Sequence, residues 1–336
     1  MQPAFLITID TEGDDLWSRP HVITARNAEY LPRFQQLCER HGLKPTYLTN
    51  YEMAIAAPFQ ALARDALARG TAEVGMHLHA WNSPPLRGLT DNDMQHQPYL
   101  IEYPDVAMRQ KIEFMTRLLE DTFNVPMRTH RAGRWAVDSR YLKLLVEYGY
   151  TVDCSVTPTV SWAQSAGDPA GRGGADYRDY PAEAYYMDLD APGRIGDSGL
   201  LQLPMTVRWP GAKLARWLPS SLRTLPVIRR VADRRQWMRP AAGNISELLR
   251  LLQQEITAGS PYIEFMLHSS EFMPAGSRVF ATEQSIEQLY EELEQLFGAV
   301  ARNCCGRTLS EYAAEVATGL RPGARRPGGA TVHAAA

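Results

Sequence analysis

The sequence predicts an α/β protein built as a barrel of alternating strands and helices. Three observations carry that expectation. Short apolar runs rich in β-branched residues alternate with longer stretches whose apolar positions recur at helical spacing. About seven strand-like runs occur, enough for a parallel sheet that curls on itself with helices packed outside. Ionisable residues gather at the C-terminal ends of these runs, the face that carries chemistry in barrels of this kind.

The elements follow in order. "AFLITID" reads as a buried strand, and "NAEYLPRFQQLCERHG" as a helix with Asn27 near its start and Gly42 at its end. "KPTYLTN" is strand-like, and "PFQALARDALARG" is helix-like, with Pro58 opening it and Gly70 closing it. "TAEVGMHLH" reads as the third strand, and "DVAMRQKIEFMTRLLEDTF" as the clearest amphipathic helix of the first half. "MRTHRAG", "SRYLKLLVEYG" and "YTVDCSV" continue as strand, helix and strand. Residues 156–199, rich in Gly, Asp, Pro and Tyr, read as irregular with room for a short hairpin. The rhythm returns with the strands "GLLQLPMTV" and "PYIEFMLHS" and the helices "NISELLRLLQQEI" and "TEQSIEQLYEELEQLFGAVAR".

A chain of 336 residues with 45% hydrophobic content can bury one large core, and the reading is a single domain over residues 1–318. The tail "GLRPGARRPGGATVHAAA", residues 319–336, has the composition of a disordered end. A net charge of -3 gives no global field for nucleic acid. Cys38, Cys154, Cys304 and Cys305 form neither a disulfide framework nor a C-x-x-C zinc pair. The opening "MQPAFLITID" lacks the pattern of a signal peptide, and no apolar run reaches the roughly 18 residues of a spanning helix. A cytoplasmic location is the expectation. One segment departs from the average: residues 208–239 carry nine Lys or Arg and one acid, Asp233, a local charge of +8, with Trp209, Trp217 and Trp237 interleaved. That segment reads either as a solvated insertion or as a patch for a phosphorylated substrate or an anionic membrane surface, peripheral to the inner membrane.

Alternate strand residues share a face. Asp10 and Glu12 therefore point together at the end of the first strand, and His77 and His79 at the end of the third. Arg131 ends the fourth, Asp153 the fifth and His268 the last. Each residue alone has an ordinary structural explanation: a turn carboxylate, a hydrogen-bonded histidine, an ion pair. Together, two carboxylates, two imidazoles, an arginine and a distant Asp/His pair make a metal-hydrolase constellation. Imidazole with carboxylate suits zinc and other divalent transition metals.

With those residues placed, the chain resembles the polysaccharide deacetylases, the NodB-homology carbohydrate esterases, over roughly residues 4–155 and 200–310. "TIDTEG" stands where that family has T-F-D-D-G, and "LKPTYLTN" resembles its next strand. "EVGMHLHAW" matches its E-I-G-x-H motif, "HRAGRW" its arginine motif, "GYTVDCSV" its later aspartate motif and "EFMLHS" its final L-x-H motif. A branch tied to lipopolysaccharide and other surface polysaccharides is the nearest likeness. Two positions depart. Thr11 replaces the second aspartate, with Glu12 as its substitute, and Trp81 stands where the second histidine belongs, with His79 as its substitute.

The resemblance implies a distorted (β/α)7 NodB-type barrel that removes an N-acetyl or O-acetyl group from a sugar or glycan precursor. It implies Glu12, His77 and His79 as ligands of a divalent metal, zinc or else cobalt or nickel. Asp10 is then the base, Arg131 its partner, His268 the acid and Asp153 the residue that orients His268. Trp81, Trp135 and Trp162 are candidates for stacking on the sugar. The two departures keep a second reading open, a degenerate deacetylase fold that binds a glycan or a biosynthetic partner. A third is an amidohydrolase acting on a small amide or cyclic ureide.

Overall fold

A computed structural model of the chain describes residues 1–16, 22–167, 171–210, 235–321 and 324–326. Most of the basic segment, residues 211–234 with Trp217, therefore lies outside the described residues, as does most of the tail.

The sheet is built from β1 (Ala4–Thr11), β2 (Pro45–Thr49), β3 (Glu73–Leu78), β4 (Thr129–Ala132), β5 (Val152–Asp153), β6 (Tyr185–Tyr186), β7 (Leu201–Gln202) and β10 (Tyr262–His268). Its order is β10-β1-β2-β3-β4-β5-β7-β6. Each neighbouring pair from β10 to β7 is parallel, which makes seven parallel strands, and only β6 runs antiparallel. A two-stranded ribbon, β8 (Val207–Arg208) with β9 (Gln236–Trp237), lies beside the other end. The amide of Glu264 donates to Thr206 Oγ1 at 2.9 Å, and that of Met266 to the carbonyl of Met238 at 3.3 Å. These contacts cover the edge of β10 that a half-closed barrel leaves open. "GLLQLPMTV", expected as one strand, is thus divided: residues 201–202 pair with β5, and residues 207–208 cross to the ribbon.

The curl separates two cores. On β1, Phe5, Ile7 and Ile9 face the helices, while Ala4 and Leu6 join Leu48, Val152, Cys154 and Tyr262 in an inner cluster. Continuing along the inner row, β1 presents Thr8 and then Asp10, so the interior passes from apolar to ionic toward the C-terminal strand ends.

Outside pack α1 (Leu31–Arg40), α2 (Ala57–Ala68), α3 (Asp105–Phe123), α4 (Ser139–Glu147), α5 (Ile245–Thr257) and α6 (Glu283–Asn303). In α3, Met108, Ile112, Met115, Leu119 and Phe123 form the buried stripe, and Asn124 ends the helix in the left-handed region at φ 53°. In α1, the Phe34 ring meets Phe272 at a centroid distance of 4.4 Å. Truncating such a buried ring to alanine costs about 3–5 kcal/mol.

A short strand, β11 (Cys305–Gly306), and a helix, α7 (Leu309–Ala317), complete the fold; the sequence reading did not assign either. Thr308 and Glu311 form a reciprocal cap on α7, whose Leu309 and Tyr312 close the lower end of the inner cluster. Within residues 156–199 an antiparallel bridge, Met187–Ile195, forms the expected hairpin. Among the described residues of the tail, Arg325 forms a parallel bridge with Tyr185 beside β6. Among the described residues, no helix is long and apolar enough to cross a membrane.

Candidate metal centre and catalytic face

Two histidines reach one point from β3 and the turn after it. His77 is the strand neighbour of Arg131, and its Nδ1 lies 3.0 Å from the Arg131 carbonyl. A carbonyl only accepts, so that nitrogen carries the proton and Nε2 holds a lone pair in the neutral ring. His77 Nε2 lies 3.1 Å from His79 Nε2. Glu12 Oε2 is 3.0 Å from His79 Nε2 and 3.5 Å from His77 Nε2. All three side chains are buried. Gly133 permits this approach, since a Cβ there would stand 2.6 Å from His79 Nδ1.

Glu12 is fixed through its backbone. Ser269 Oγ accepts from its amide and donates to its carbonyl, both at 3.0 Å, while Asn27 Nδ2 donates to the same carbonyl at 2.9 Å. Burial pushes the Glu12 carboxyl up, but hydrogen bonds from His77 and His79 hold it well below the usual carboxylate range. His79 is driven down by burial and by the neighbouring His77 charge. Burial also depresses His77, but Asp10 and Glu12 outweigh it and raise the ring.

These residues fit a divalent cation. Ligand atoms about 2 Å from one ion at tetrahedral angles lie roughly 3.3 Å apart, close to the spacings above. Glu12 Oε1 is a buried oxygen with no hydrogen-bond partner, as expected of a carboxylate whose charge is meant for a cation. The second-residue bond of His77 to a backbone carbonyl is the usual way a ligating imidazole is oriented. Two nitrogens and a carboxylate suit zinc, cobalt or nickel.

Asp10 sits beside this group. Its Oδ1 accepts from Arg131 Nη1 at 2.6 Å, and its Oδ2 is 3.9 Å from His268 Nε2. Burial raises Asp10, yet Arg131, His77 and His268 together hold it below its ordinary value. Arg131 is fully buried, and its Nη2 donates to Thr8 Oγ1 at 2.8 Å and to Glu264 Oε1. The Trp135 ring covers it, with the guanidinium carbon 4.6 Å from the ring centre. His268 Nε2 is 3.8 Å from Glu12 Oε1, so His268 faces both carboxylates.

Asp153 is not part of this assembly. Its Oδ1 lies 2.7 Å from His130 Nδ1, and its other partners are the Ser155 amide and hydroxyl. The cause is strand parity. Val152 and Cys154 face the inner cluster, so Asp153 between them faces the helices, where His130 also meets Tyr141 of α4 at 2.8 Å. The Asp153–His268 contact expected from the sequence is replaced by a different set. His268 Nδ1 is 3.0 Å from Arg239 Nη2 and 3.3 Å from Glu271 Oε2. Neither residue was singled out in the sequence, although Glu271 stands three residues after His268, the spacing of a reciprocal cap.

Beside His268 opens a cavity of about 390 Å³ lined by Trp135, Trp162, Tyr99, Arg134 and Arg239, among others. Arg134 and Trp135 both adopt left-handed backbone, at φ 57° and 64°. Two successive non-glycine residues in that region are strained, and such strain gathers at functional sites. Trp162 is anchored through Nε1 to Thr157 Oγ1 at 2.9 Å. Trp81 stands apart from this cavity: its ring is 5.4 Å from His79 and lines a separate depression with Tyr103 and Lys111. Lys111, buried and pushed down to about 8 by burial, ties down the loop after the histidines through the carbonyls of Ser83 and Pro85.

No protein-family model matches the sequence, and no curated protein matches it. Solved structures do. A Mycobacterium smegmatis protein described as a candidate polysaccharide deacetylase aligns over 98% of this chain and 95% of its own, with a TM-score of 0.55 and 14% identity. A 4-alpha-glucanotransferase from Thermococcus litoralis aligns over 94% of this chain but only 40% of its own, with a TM-score of 0.50 and 15% identity. At these identities the likeness is one of fold. The chain has the fold of the NodB-type polysaccharide deacetylases, a parallel-dominant α/β half-barrel.

Proposed function

We propose that the protein is a metal-dependent hydrolase that removes an N-acetyl or O-acetyl group from a sugar. One observation carries this reading. Glu12, His77 and His79 converge within 3.0–3.5 Å, while Asp10, paired with Arg131, and His268 face the same space. The likeness in fold to a candidate polysaccharide deacetylase supports it.

Glu12, His77 and His79 would hold the cation. When bound, a divalent ion there supplies Lewis acidity, polarising an acyl carbonyl and lowering the pKa of water. Asp10 accepts the proton of the attacking water at Oδ2, because Oδ1 is engaged by Arg131. The new bond joins that water's oxygen to the acyl carbon. His268 donates its Nε2 proton to the leaving nitrogen or oxygen as the bond to the acyl carbon breaks, giving acetate and the free amine or hydroxyl. Arg131 holds Asp10 ionised and oriented. Trp135 and Trp162 offer ring faces for the apolar side of the sugar, which enters the cavity beside His268. The motif resemblance to the surface-polysaccharide branch extends the reading to a surface-glycan or lipopolysaccharide precursor as the substrate.

Acetate release from acetylated sugars by zinc-loaded protein tests the proposal. Acetate formed together with one equivalent of free amine or hydroxyl is the expected result. Turnover of simple amides with none of acetylated sugars would instead favour a small-amide hydrolase on the same fold.

A further inference from the structure

We infer that Arg239 and Glu271 position His268 and select its tautomer, the task expected of Asp153. This rests on the reading of His268 as the proton donor of an acyl hydrolase. The geometry makes the assignment from two sides. Arg239 arrives two residues after β9, and its Nη2 lies 3.0 Å from His268 Nδ1 and 2.9 Å from Glu271 Oε1. Glu271 arrives from the single turn after β10. Its Oε2 accepts from the His268 amide at 2.8 Å and lies 3.3 Å from His268 Nδ1.

A guanidinium has donors and no acceptor. With Arg239 donating to Nδ1, the single proton of the neutral ring sits on Nε2, and Nε2 is the nitrogen that faces Asp10 and Glu12. The N–H of the neutral ring thus faces the reactive space. Glu271 serves the other state. The ring with protons on both nitrogens is the acid, since giving up the Nε2 proton returns it to neutral; its Nδ1 is then a donor, and Glu271 Oε2 is the acceptor beside it. Each protonation state of His268 therefore has its own partner, and the cation–carboxylate pair keeps both partners in place. Glu271 is buried, so it holds its position without competition from solvent. Aspartate or glutamate alone, as in a Ser-His-Asp arrangement, fixes a ring by accepting from it and selects the opposite tautomer.

The test reads the tautomer directly, by nitrogen-15 spectroscopy of histidine-labelled, zinc-loaded protein recorded over a pH series, in which the signals of singly and doubly protonated rings are distinct. His268→Gln identifies the signals. Wild-type protein should show the Nε2–H form. Arg239→Met removes the guanidinium donor and leaves Glu271 Oε2 to accept, so the Nδ1–H form should gain at the expense of Nε2–H; Arg239→Lys, which restores a cationic donor, should keep Nε2–H. Glu271→Gln should keep the tautomer but lower kcat by about tenfold or more, with KM changed less than about threefold, as expected for weakened acid catalysis. An Nε2–H ring in Arg239→Met, or wild-type kcat in a folded Glu271→Gln protein, would overturn the assignment. If wild-type protein releases no acetate, the deacetylase reading fails, but the tautomer comparison still decides the role of Arg239.

Discussion

Arg131 Nη1 meets Asp10 Oδ1 at 2.6 Å although two strands, β2 and β3, lie between their own. In a flat sheet the backbones of β1 and β4 would stand about 14 Å apart, so the pair exists because the sheet curls and both residues occupy its inner face. Asp10→Asn should reduce turnover by about 10²–10⁴-fold, the usual contribution of a positioned base, while metal content stays at the wild-type level. Near-normal turnover in a folded Asp10→Asn protein would remove Asp10 from the mechanism. The sign of its pH dependence follows from its lowered pKa. Asp10 stays ionised below the ordinary aspartate range, and its stabilising contribution is present above the unfolded value and lost as pH falls through the folded one.

Arg131 also serves a second carboxylate, Glu264, which lies fully buried beneath it. Burial lifts Glu264 to about 7 despite the attraction of Arg131 and a hydrogen bond from Thr8. One cation between two acids leaves Asp10 charged and makes Glu264 the one that takes up a proton. A raised acid stabilises the fold fully below its unfolded value, about 4.5, and that contribution is lost as pH rises through about 7. Glu264→Gln should flatten this part of the curve. Its Tm should fall less than that of the wild type between about pH 4.5 and about 7; an equal fall would show that Glu264 is already ionised throughout.

Asp153 makes a contrasting case. Its partner is His130, a buried ring that burial drives toward its neutral form. Replacing Asp153 by Asn disturbs a buried hydrogen-bond network and should cost about 1–3 kcal/mol of stability, read as a lower Tm. The kcat for acetate release at a temperature where the variant is folded should remain within about threefold of wild type. A large loss of kcat with an unchanged Tm would return Asp153 to the reaction.

Most of the architecture was legible because it rests on local pattern. The alternation of Phe5, Ile7 and Ile9 with Leu6, Thr8 and Asp10 separates the two faces of β1 before any contact is known. The same rule placed Glu12 with Asp10 and His79 with His77, and the structure brings all four together with Arg131 and His268. Applied to "TVDCSV", it also separates Asp153 from Cys154, and that parity decides which of the two enters the barrel. The partners of His268 were not legible. Arg239 comes from just beyond β9, 29 residues before His268 in the chain, and a single strand-end pattern cannot say which cation will reach it. The cap on α7, "TLSE", was readable as a helix start, but its task of closing the inner cluster depends on tertiary placement.

The central claim is that Glu12, His77 and His79 form a metal centre. Elemental analysis of untagged, unchelated protein beside His77→Ala, His79→Ala and Glu12→Ala tests it most directly. The account predicts about one zinc, cobalt or nickel per chain in the wild type and its loss in all three variants, each still folded. Wild-type protein that takes up no metal after reloading with zinc, cobalt or nickel would contradict it, as would variants that keep the full wild-type stoichiometry.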